Sequence, residues 1–288
     1  MIMQKLPIDA SWKAWLDHNL DRGCDAEELF AILVQNHFSL ESIREAMGDH
    51  DPTRAPLTGG RATSNSAPDF KAIAATRLTD PQKCPQARPF CSADIQLYTI
   101  DHFLSEEECD ELSAVIRGSL HPSTIATAAA EPDKYFRTSK TCDLGTRQSS
   151  VVDSLDKKIS RTIGICLPYS EAPQGHVYAV GEEFKAHTDY FEPGAETYVK
   201  HCAVRGNRTW TFMVYLNDVH RGGGTFFLRL GHTFQPCKGR ALIWNNLDAE
   251  GRPNYNTVHA GQPVEEGEKV IVTKWFRERG TGPMFCSE

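Results

Sequence analysis

Residues 209–219 read TWTFMVYLNDV, in which large apolar residues recur at every second position before an Asn-Asp turn signal. A period of two is the pattern of a β-strand that turns one face to a core. Similar short runs follow one another from residue 175 onward, separated by clusters of Gly, Pro, Asn and Asp. Together they predict an antiparallel sandwich or barrel. The other runs are HVYAV (176–180), GTFFLRL (224–230), RALIWNN (240–246) and KVIVTKWF (269–276).

Two helices are predicted upstream of these strands. Residues 97–120 have the pattern of a strand entering a helix, because Ser105 is a good N-cap and three acidic residues follow it in the first turn. A second helix is predicted within residues 149–165. The predicted fold class is therefore α+β, mainly β, with helices flanking the sheet.

The N-terminal part of the chain has a different pattern. Apolar residues recur at helical spacing between residues 8 and 47, which predicts three short helices. The next stretch is rich in Pro, Gly, Ser and Thr and poor in large apolar residues, as in a linker. The helical segment could bind a partner protein, or it could simply pack on the main domain. The expected units are a helical bundle at 1–48, a linker at 49–70 and a main domain at 71–282 with its core at 175–279.

Composition and charge exclude several classes of protein. A formal net charge of -7 gives no general attraction to phosphates, so no nucleic-acid partner is expected. No run approaches the roughly 20 apolar residues that cross a bilayer, so no membrane association is expected. Gln4 and Lys5 interrupt the N-terminus where a secretory signal needs an apolar core. The nine cysteines form no CxxC pair. These features favour a cytoplasmic protein with reduced thiols.

One short stretch, EEFKAHTDYF at 182–191, contains a possible metal site. If it is a strand, His187 and Asp189 project to the same face. His259, expected at the mouth of a strand that continues through Lys269, could be a third ligand. Two imidazoles and one carboxylate leave about half of an octahedron open, which suits non-haem Fe(II). The alternative is a solvated strand, since an isolated H-x-D often occurs by chance.

An ordered set of motifs decides between these interpretations. They run Y-x-x-G-x-x-F-x-x-H-x-D, R-x-x-T-x-x-x-Y-L-N-D-V-x-x-G-G-x-T-x-F, P-x-x-G-x-A-L, H-x-G-x-P-V-x-x-G-x-K and K-W-F-R. On these motifs, residues 95–279 resemble the prolyl 4-hydroxylase branch of the Fe(II)/2-oxoglutarate dioxygenases. Two positions depart from the family pattern, Phe184 where Tyr is frequent and Gly224 where Glu is usual, and neither is a ligand.

The resemblance implies a double-stranded β-helix, or jelly roll, and a set of cofactors. Fe(II) would be held by His187, Asp189 and His259, with 2-oxoglutarate as co-substrate and O2 as oxidant; ascorbate dependence is a further family expectation. Lys269 would bind the far carboxylate of 2-oxoglutarate, since a buried ammonium is costly without an opposite charge. The other positions that match co-substrate contacts of the family are Tyr178, Thr225, Thr273 and Tyr215.

Substrate contacts are implied at the rim of the same site. Arg208 and Trp275 match positions that border the substrate pocket, although Arg208 could instead be a surface cation and Trp275 a core aromatic. Arg137, with Ser139, is a further candidate for this groove. Tyr190 begins a long connection over 191–207, which we expect to cover the substrate, because long loops are uncommon unless they bind or close over something.

The function implied is hydroxylation of prolyl residues in a protein or peptide, with release of succinate and CO2. A second possibility keeps the chemistry but takes a free amino acid or another small molecule as its target. A third is a binding protein in which the helical segment recruits a partner and the barrel senses oxygen or iron. The intact ligand set and Lys269 argue against an inactive barrel.

Overall fold

A computed structural model of the chain describes residues 7–21, 26, 29–30, 33, 38–50, 68–123, 136–146 and 149–286. Most of the predicted linker, residues 51–67, lies outside the described residues.

The main domain contains an eight-stranded sheet in which all neighbouring strands are antiparallel. The five runs with a period of two each contain one strand of the structure, so these strand predictions are confirmed. The strands of this sheet, in spatial order, are β1 (Arg88–Pro89), β2 (Leu97–Ile100), β11 (Ala241–Asn245), β7 (Arg208–Tyr215), β14 (Lys269–Arg277), β5 (Gln174–Tyr178), β4 (Lys140–Asp143) and β3 (His121–Pro122).

A second, four-stranded antiparallel sheet faces the first one, and a two-stranded ribbon lies beside them. The two larger sheets enclose a barrel interior, as expected for a jelly roll, and the predicted fold class is confirmed. The strands of the second sheet are β10 (His232–Phe234), β9 (Thr225–Phe227), β12 (His259–Gly261) and β6 (Phe184–His187), and the ribbon pairs β13 (Val264–Glu266) with β8 (Arg221–Gly222).

Alternation along β14 shows how one strand serves two cores. Val270 and Val272 point to an outer core between the large sheet and its helices. Ile271 points to the barrel interior, where it packs with Met213 and Tyr215 of β7. Because side chains of a strand alternate between faces, Lys269 and the other odd-numbered residues of β14 also face the interior. The period of two therefore decides which residues can reach the site.

Helices cover the outer face of the large sheet. The first, Glu106–Arg117, begins at Ser105, whose side chain accepts a hydrogen bond from the Glu108 backbone while the Glu108 carboxylate accepts one in return. This capping box satisfies backbone donors that a helix end leaves unpaired. The second, Ser150–Ile163, ends at Gly164 in the left-handed conformation (φ 84°). Both helices and the N-cap were predicted from sequence.

The described part of the N-terminal segment is helical and has a small core of its own. Its helices span Ala10–Asp21 and Leu40–Met47, and Trp15, Leu16 and Ile43 are buried between them. The described residues of the predicted middle helix are also helical. The first helix contacts residues 144–146 of the main domain. This contact favours packing on the domain, the second of the two alternatives for this segment.

Two local predictions about the strands were wrong. Strand β6 ends at His187, so Asp189 lies beyond the strand. His259 and Lys269 lie on different strands in different sheets, because Pro263 cannot donate to a ladder and Gly267 turns the chain at φ 89°. Residues 191–207 lie between two strands, as predicted, and contain a helix at Glu196–Cys202.

Candidate metal centre and its surroundings

Three predicted ligands meet at one end of the barrel. His187 ends β6, His259 begins β12, and the two residues are direct partners in the antiparallel ladder. The His187 Nε2 and Asp189 Oδ1 atoms are 3.9 Å apart. One ligand atom from each of the three residues lies within 4.8 Å of the other two. The cluster therefore has the donor set and spacing that a transition metal needs.

Backbone carbonyls orient both imidazoles. His187 Nδ1 lies 2.8 Å from the Lys185 carbonyl oxygen, and His259 Nδ1 lies 2.9 Å from that of Thr257. An Nδ1–H that donates to a carbonyl leaves the lone pair of Nε2 free for a metal. Both rings are thus held in the tautomer that a ligand requires.

The Asp189 carboxylate is fixed from the other sheet. The Thr211 hydroxyl of β7 donates to Asp189 Oδ2 at 2.7 Å, and the Asn246 amide donates to the same hydroxyl at 2.9 Å. This bond explains why β6 ends before Asp189, since the chain must cross toward the large sheet to reach Thr211. The Oδ1 atom remains directed at the two histidines.

Burial and mutual charge favour the protonation states that bind metal. Burial lowers the pKa of His187 below its ordinary value, and the neighbouring His259 adds to this effect. Burial raises the pKa of Asp189, but His259, His187, Arg208 and the Thr211 hydroxyl together lower it by more, so the net shift is downward. A neutral imidazole and an ionised carboxylate are the metal-binding forms.

Aromatic rings pack around the two histidines. The Phe184 ring stacks on His187 with centroids 3.5 Å apart, and Phe227 and Trp244 contact His259 at 5.4 and 4.9 Å. Phe184 is one of the two departures from the family motif. The Phe184 ring lies flat against the imidazole of His187, so its phenyl group packs directly on this candidate ligand.

Lys269 is a buried cation in the barrel interior. Its side chain is 2% exposed, and burial lowers its pKa to about 7. Its Nζ lies 3.5 Å from the Thr225 hydroxyl and 5.3 and 5.7 Å from the ring centroids of Tyr178 and Tyr215. Within the described part of the chain, Lys269 forms no ion pair with a carboxylate. An uncompensated buried ammonium of this kind fits an anionic ligand.

Hydroxyl groups surround that cation. Tyr215 donates to Thr225 Oγ1 at 2.7 Å, and Tyr178 lies directly opposite Lys269 in the β5–β14 ladder. Thr273 is buried on the same face of β14, four residues from Lys269. The structure therefore brings Tyr178, Tyr215 and Thr225 to the lysine and places Thr273 further along the interior.

Arg208 forms an ion pair that sequence patterns did not reveal. Its guanidinium binds both carboxylate oxygens of Glu171 at 2.6 Å, and Arg277 binds Oε1 of the same carboxylate at 2.8 Å. Burial alone would raise the pKa of Glu171, but Arg208 and Arg277 hold it well below its usual range. Glu171 sits in a loop far from both arginines in sequence, and no local signal marks it.

The same guanidinium contributes to the wall of the site. Arg208 lies over the rings of Trp275 and Phe191, 4.0 and 5.0 Å from their centroids, and its Nη1 donates to the Asp189 carbonyl at 3.5 Å. The interpretation of Arg208 as a surface cation is therefore wrong. Tyr190, the residue after Asp189, is buried, with 5% of its surface exposed.

Arg137 packs on the Phe184 ring that stacks on His187. Its guanidinium donates to Ser139 Oγ at 3.1 Å and to His176 Nδ1 at 2.8 Å, and it stacks over Phe184 at 4.5 Å. Burial, followed by the Arg137 charge, lowers the pKa of His176 well below its ordinary value. The Nδ1 atom of a neutral His176 can accept a hydrogen bond from the guanidinium, so it fixes Arg137 next to the ring that covers His187.

A side-chain clasp closes the segment that follows the ligands. The Asn207 amide accepts a hydrogen bond from the Phe191 backbone N–H and donates one to the Phe191 carbonyl, each at 2.8 Å. Both ends of 191–207 are thus held together while the helix between them spans the gap.

None of the described helices is long and apolar enough to cross a bilayer.

Comparison with protein families agrees with this geometry. Residues 173–277, which include all three candidate ligands and Lys269, match the family model of the 2OG-Fe(II) oxygenase superfamily. Residues 173–277 are therefore similar to a 2OG-Fe(II) oxygenase domain in sequence as well as in the residues gathered at the site. The predicted resemblance to its prolyl 4-hydroxylase branch is also confirmed by the curated relatives, which are prolyl 4-hydroxylase alpha subunits.

The similarity to these relatives covers part of each protein. Prolyl 4-hydroxylase subunit alpha-1 of Gallus gallus is 31% identical over 62% of this chain and 34% of its own length. The alpha-1 subunit of Homo sapiens is 34% identical over 62% of this chain and 33% of its own length. The chain thus spans about a third of the relatives' length. A viral collagen prolyl hydroxylase from Paramecium Bursaria Chlorella virus-1 is 27% identical, with a TM-score of 0.49 over 63% of this chain and 95% of its own.

Proposed function

We propose that the oxygenase domain is an Fe(II)- and 2-oxoglutarate-dependent dioxygenase that hydroxylates prolyl residues of a protein or peptide, with release of succinate and CO2. The observation that carries this proposal is the pairing of two features in one interior. One is the cluster of His187, Asp189 and His259 with their free ligand atoms together. The other is Lys269, buried without a carboxylate partner among the described residues.

The metal ligands are proposed to be His187, Asp189 and His259. Fe(II) at this site would supply the redox chemistry that couples oxidation of 2-oxoglutarate by O2 to hydroxylation of a C–H bond. The carbonyls of Lys185 and Thr257 orient the two imidazoles, and burial lowers the pKa of His187, which favours its neutral form. Three protein ligands leave positions open for co-substrate and O2.

Lys269 is proposed to bind the far carboxylate of 2-oxoglutarate. A unit charge pair at about 4 Å is worth on the order of 4 kcal/mol at an effective dielectric near 20, which would offset the cost of burying the ammonium. Tyr215, Thr225 and Tyr178 surround the cation and can donate or accept hydrogen bonds there. Thr273 is proposed to contact the same ligand from further along β14.

The substrate is proposed to lie between two walls of the site. Arg208, stacked on Trp275, forms one wall with Tyr190, and Arg137 forms the other above Phe184. The segment 191–207 is proposed to close over a bound peptide, since the Asn207 clasp keeps its ends together at the base of the first wall. Aromatic and guanidinium surfaces of this kind suit a peptide with proline rings and backbone carbonyls.

A direct assay tests this function. The purified protein is supplied with Fe(II), 2-oxoglutarate and O2, with either a proline-rich peptide or free proline, and succinate and a one-oxygen mass gain are followed. Turnover of the peptide and not of proline supports a prolyl-peptide hydroxylase, whereas turnover of proline alone supports the small-molecule alternative. Turnover measured over a range of ascorbate concentrations tests the expected dependence on ascorbate. His187→Ala should abolish turnover, and His220→Ala, at an exposed histidine, is the matched control.

Succinate formation that stays at background with both substrates, in protein whose iron content equals one per chain, would favour the sensing and binding alternative. In that case the N-terminal helical segment would carry the function by recruiting a partner protein. Binding of a partner by the N-terminal helices remains a prediction that a pull-down with residues 1–48 deleted can test.

A further inference from the structure

Two cysteines that are far apart in sequence meet at the edge of the domain. The sulfur atoms of Cys166 and Cys286 are 2.6 Å apart, although 120 positions separate the residues. Cys166 follows the helix Ser150–Ile163, and Cys286 lies at the end of the described chain. Both side chains are half-buried. The contact lies outside the metal centre and takes no part in the proposed function.

The backbone fixes the two residues in this register. Ile165 and Phe285 form an antiparallel bridge. On one side of it the Cys166 N–H donates to the Met284 carbonyl at 2.8 Å, and on the other the Cys286 N–H donates to the Gly164 carbonyl at 3.1 Å. Side chains adjacent to such a bridge project to the same face. The two thiols are thus brought together by main-chain hydrogen bonds and do not depend on their own attraction.

Further contacts show that the C-terminal segment is docked at this point. The Ser160 hydroxyl lies 3.6 Å from the Cys286 sulfur and donates to the Ile165 carbonyl at 2.6 Å. The Tyr169 hydroxyl donates to the Gly282 carbonyl at 2.9 Å. The bridged backbone and the 2.6 Å sulfur–sulfur distance place the two thiols within reach of each other.

We propose that Cys166 and Cys286 are a disulfide-forming pair that staples the C-terminal segment to the helix-to-strand connection. The oxidant is a low-molecular-weight disulfide such as glutathione disulfide. One cysteine thiolate attacks it to form a mixed disulfide and releases one thiol, and the second cysteine thiolate then displaces the other. Two cysteine thiols and one external disulfide become one protein disulfide and two external thiols, so protons and electrons balance.

The two segments that the staple joins also meet at Glu171. Residues 166–171 lead from Cys166 to Glu171, whose backbone N–H donates to the Trp275 carbonyl. In the other segment, Arg277 binds Glu171, and the chain leads from Arg277 toward Cys286. Cross-linking the far ends of these segments closes a long loop of chain, and a disulfide that closes a long loop lowers the entropy of the unfolded state.

The pair is tested on the full-length protein in glutathione redox buffers. After acid quenching, free thiols are blocked, the protein is digested without reductant, and peptides are identified by mass. The expected product joins the Cys166 and Cys286 peptides with the loss of two hydrogens. The oxidised protein should unfold at a temperature higher by roughly 5–10 °C than the reduced protein.

Cys286→Ser should remove both the cross-linked peptide and the redox dependence of the midpoint. Cys91→Ser, at an exposed cysteine, should leave both unchanged. If Cys286→Ser is not obtained folded, the peptide map of the wild-type protein decides by itself. The proposal would be overturned if Cys166 and Cys286 were both found as blocked free thiols after incubation in the oxidising buffer. It would also be overturned if they were found joined only to glutathione or to other cysteines.

Discussion

Lys269 lies directly opposite Tyr178 across the β5–β14 ladder, inside the barrel, with its ammonium 5.3 Å from the tyrosine ring and no carboxylate bound to it in the described part of the chain. Replacing it with Ala removes the proposed anchor of 2-oxoglutarate. We expect the KM for 2-oxoglutarate to rise by about 30- to 1000-fold, with little change in iron content.

Lys140→Ala, at an exposed lysine on β4, is the matched control for that variant. Initial rates over a range of 2-oxoglutarate concentrations at saturating peptide give the comparison. An unchanged KM in Lys269→Ala would show that another cation binds the far carboxylate.

The lowered pKa of Lys269 makes co-substrate binding sensitive to pH. Burial lowers the pKa of Lys269 to about 7, and the dicarboxylate binds the protonated form of this side chain. As the pH rises above 7, the affinity for 2-oxoglutarate should therefore fall by roughly tenfold per pH unit until the pKa of the complex is reached. Isothermal titration calorimetry from pH 6 to 9 measures this slope.

Lys269→Arg separates this titration from the pH dependence of the metal ligands. An arginine stays charged over the whole range, so the slope above pH 7 should disappear in that variant. A slope that persists unchanged in Lys269→Arg would assign the pH dependence to another group.

The Thr211 hydroxyl is expected to set metal affinity through Asp189. It donates to the Oδ2 atom of the carboxylate and is itself held by Asn246. Loss of such an outer contact to a metal ligand typically costs 10- to 100-fold in metal affinity, so Thr211→Val should weaken binding of Fe(II) or Co(II) by about this factor. Calorimetric titration of the metal-free protein measures it.

Thr209→Val is a closely matched control on the same strand. Thr209 is also fully buried, but its hydroxyl has no hydrogen-bond partner among the described residues. We expect this variant to bind metal as the wild-type protein does. Equal losses in both variants would indicate a general effect of altering β7.

Glu171 should stabilise the fold most strongly near neutral pH. Its carboxylate binds the buried Arg277 and the partly buried Arg208, and replacing it with Gln removes the negative charge that these two guanidinium groups share. Breaking a buried ion pair in this way typically costs about 3–5 kcal/mol. Urea unfolding of Glu171→Gln at pH 7 should show a loss of this size.

Acid should reduce the difference in the free energy of unfolding between Glu171→Gln and the wild-type protein. The pKa of Glu171 is depressed in the folded state, so its contribution is fully present above the unfolded value of about 4.3 and decreases as the pH falls below it. Unfolding curves at pH 7, 5 and 3.5 measure the difference. A constant difference over this range would mean that Glu171 acts by packing and not by charge.

Local sequence patterns predicted much of this molecule. The alternation in TWTFMVYLNDV is preserved in β7, and Ser105 caps its helix as its residue type and following acids indicate. A strand period and a helix cap are local signals, since each depends on residues within a few positions of one another. The candidate ligands and Lys269 were recognised through the ordered set of family motifs, because an isolated H-x-D often occurs by chance.

Only the folded chain shows how those parts meet. Asp189 lies beyond its predicted strand because its carboxylate binds Thr211 in the other sheet. Glu171 binds Arg208 from 37 positions away, and Cys166 meets Cys286 from 120 positions away. The sequence by itself determined the strands, the caps and the identity of the candidate metal ligands. The tertiary structure decided their partners, because charge pairing, hydrogen bonding and thiol contact between distant segments depend on the packing of the two sheets.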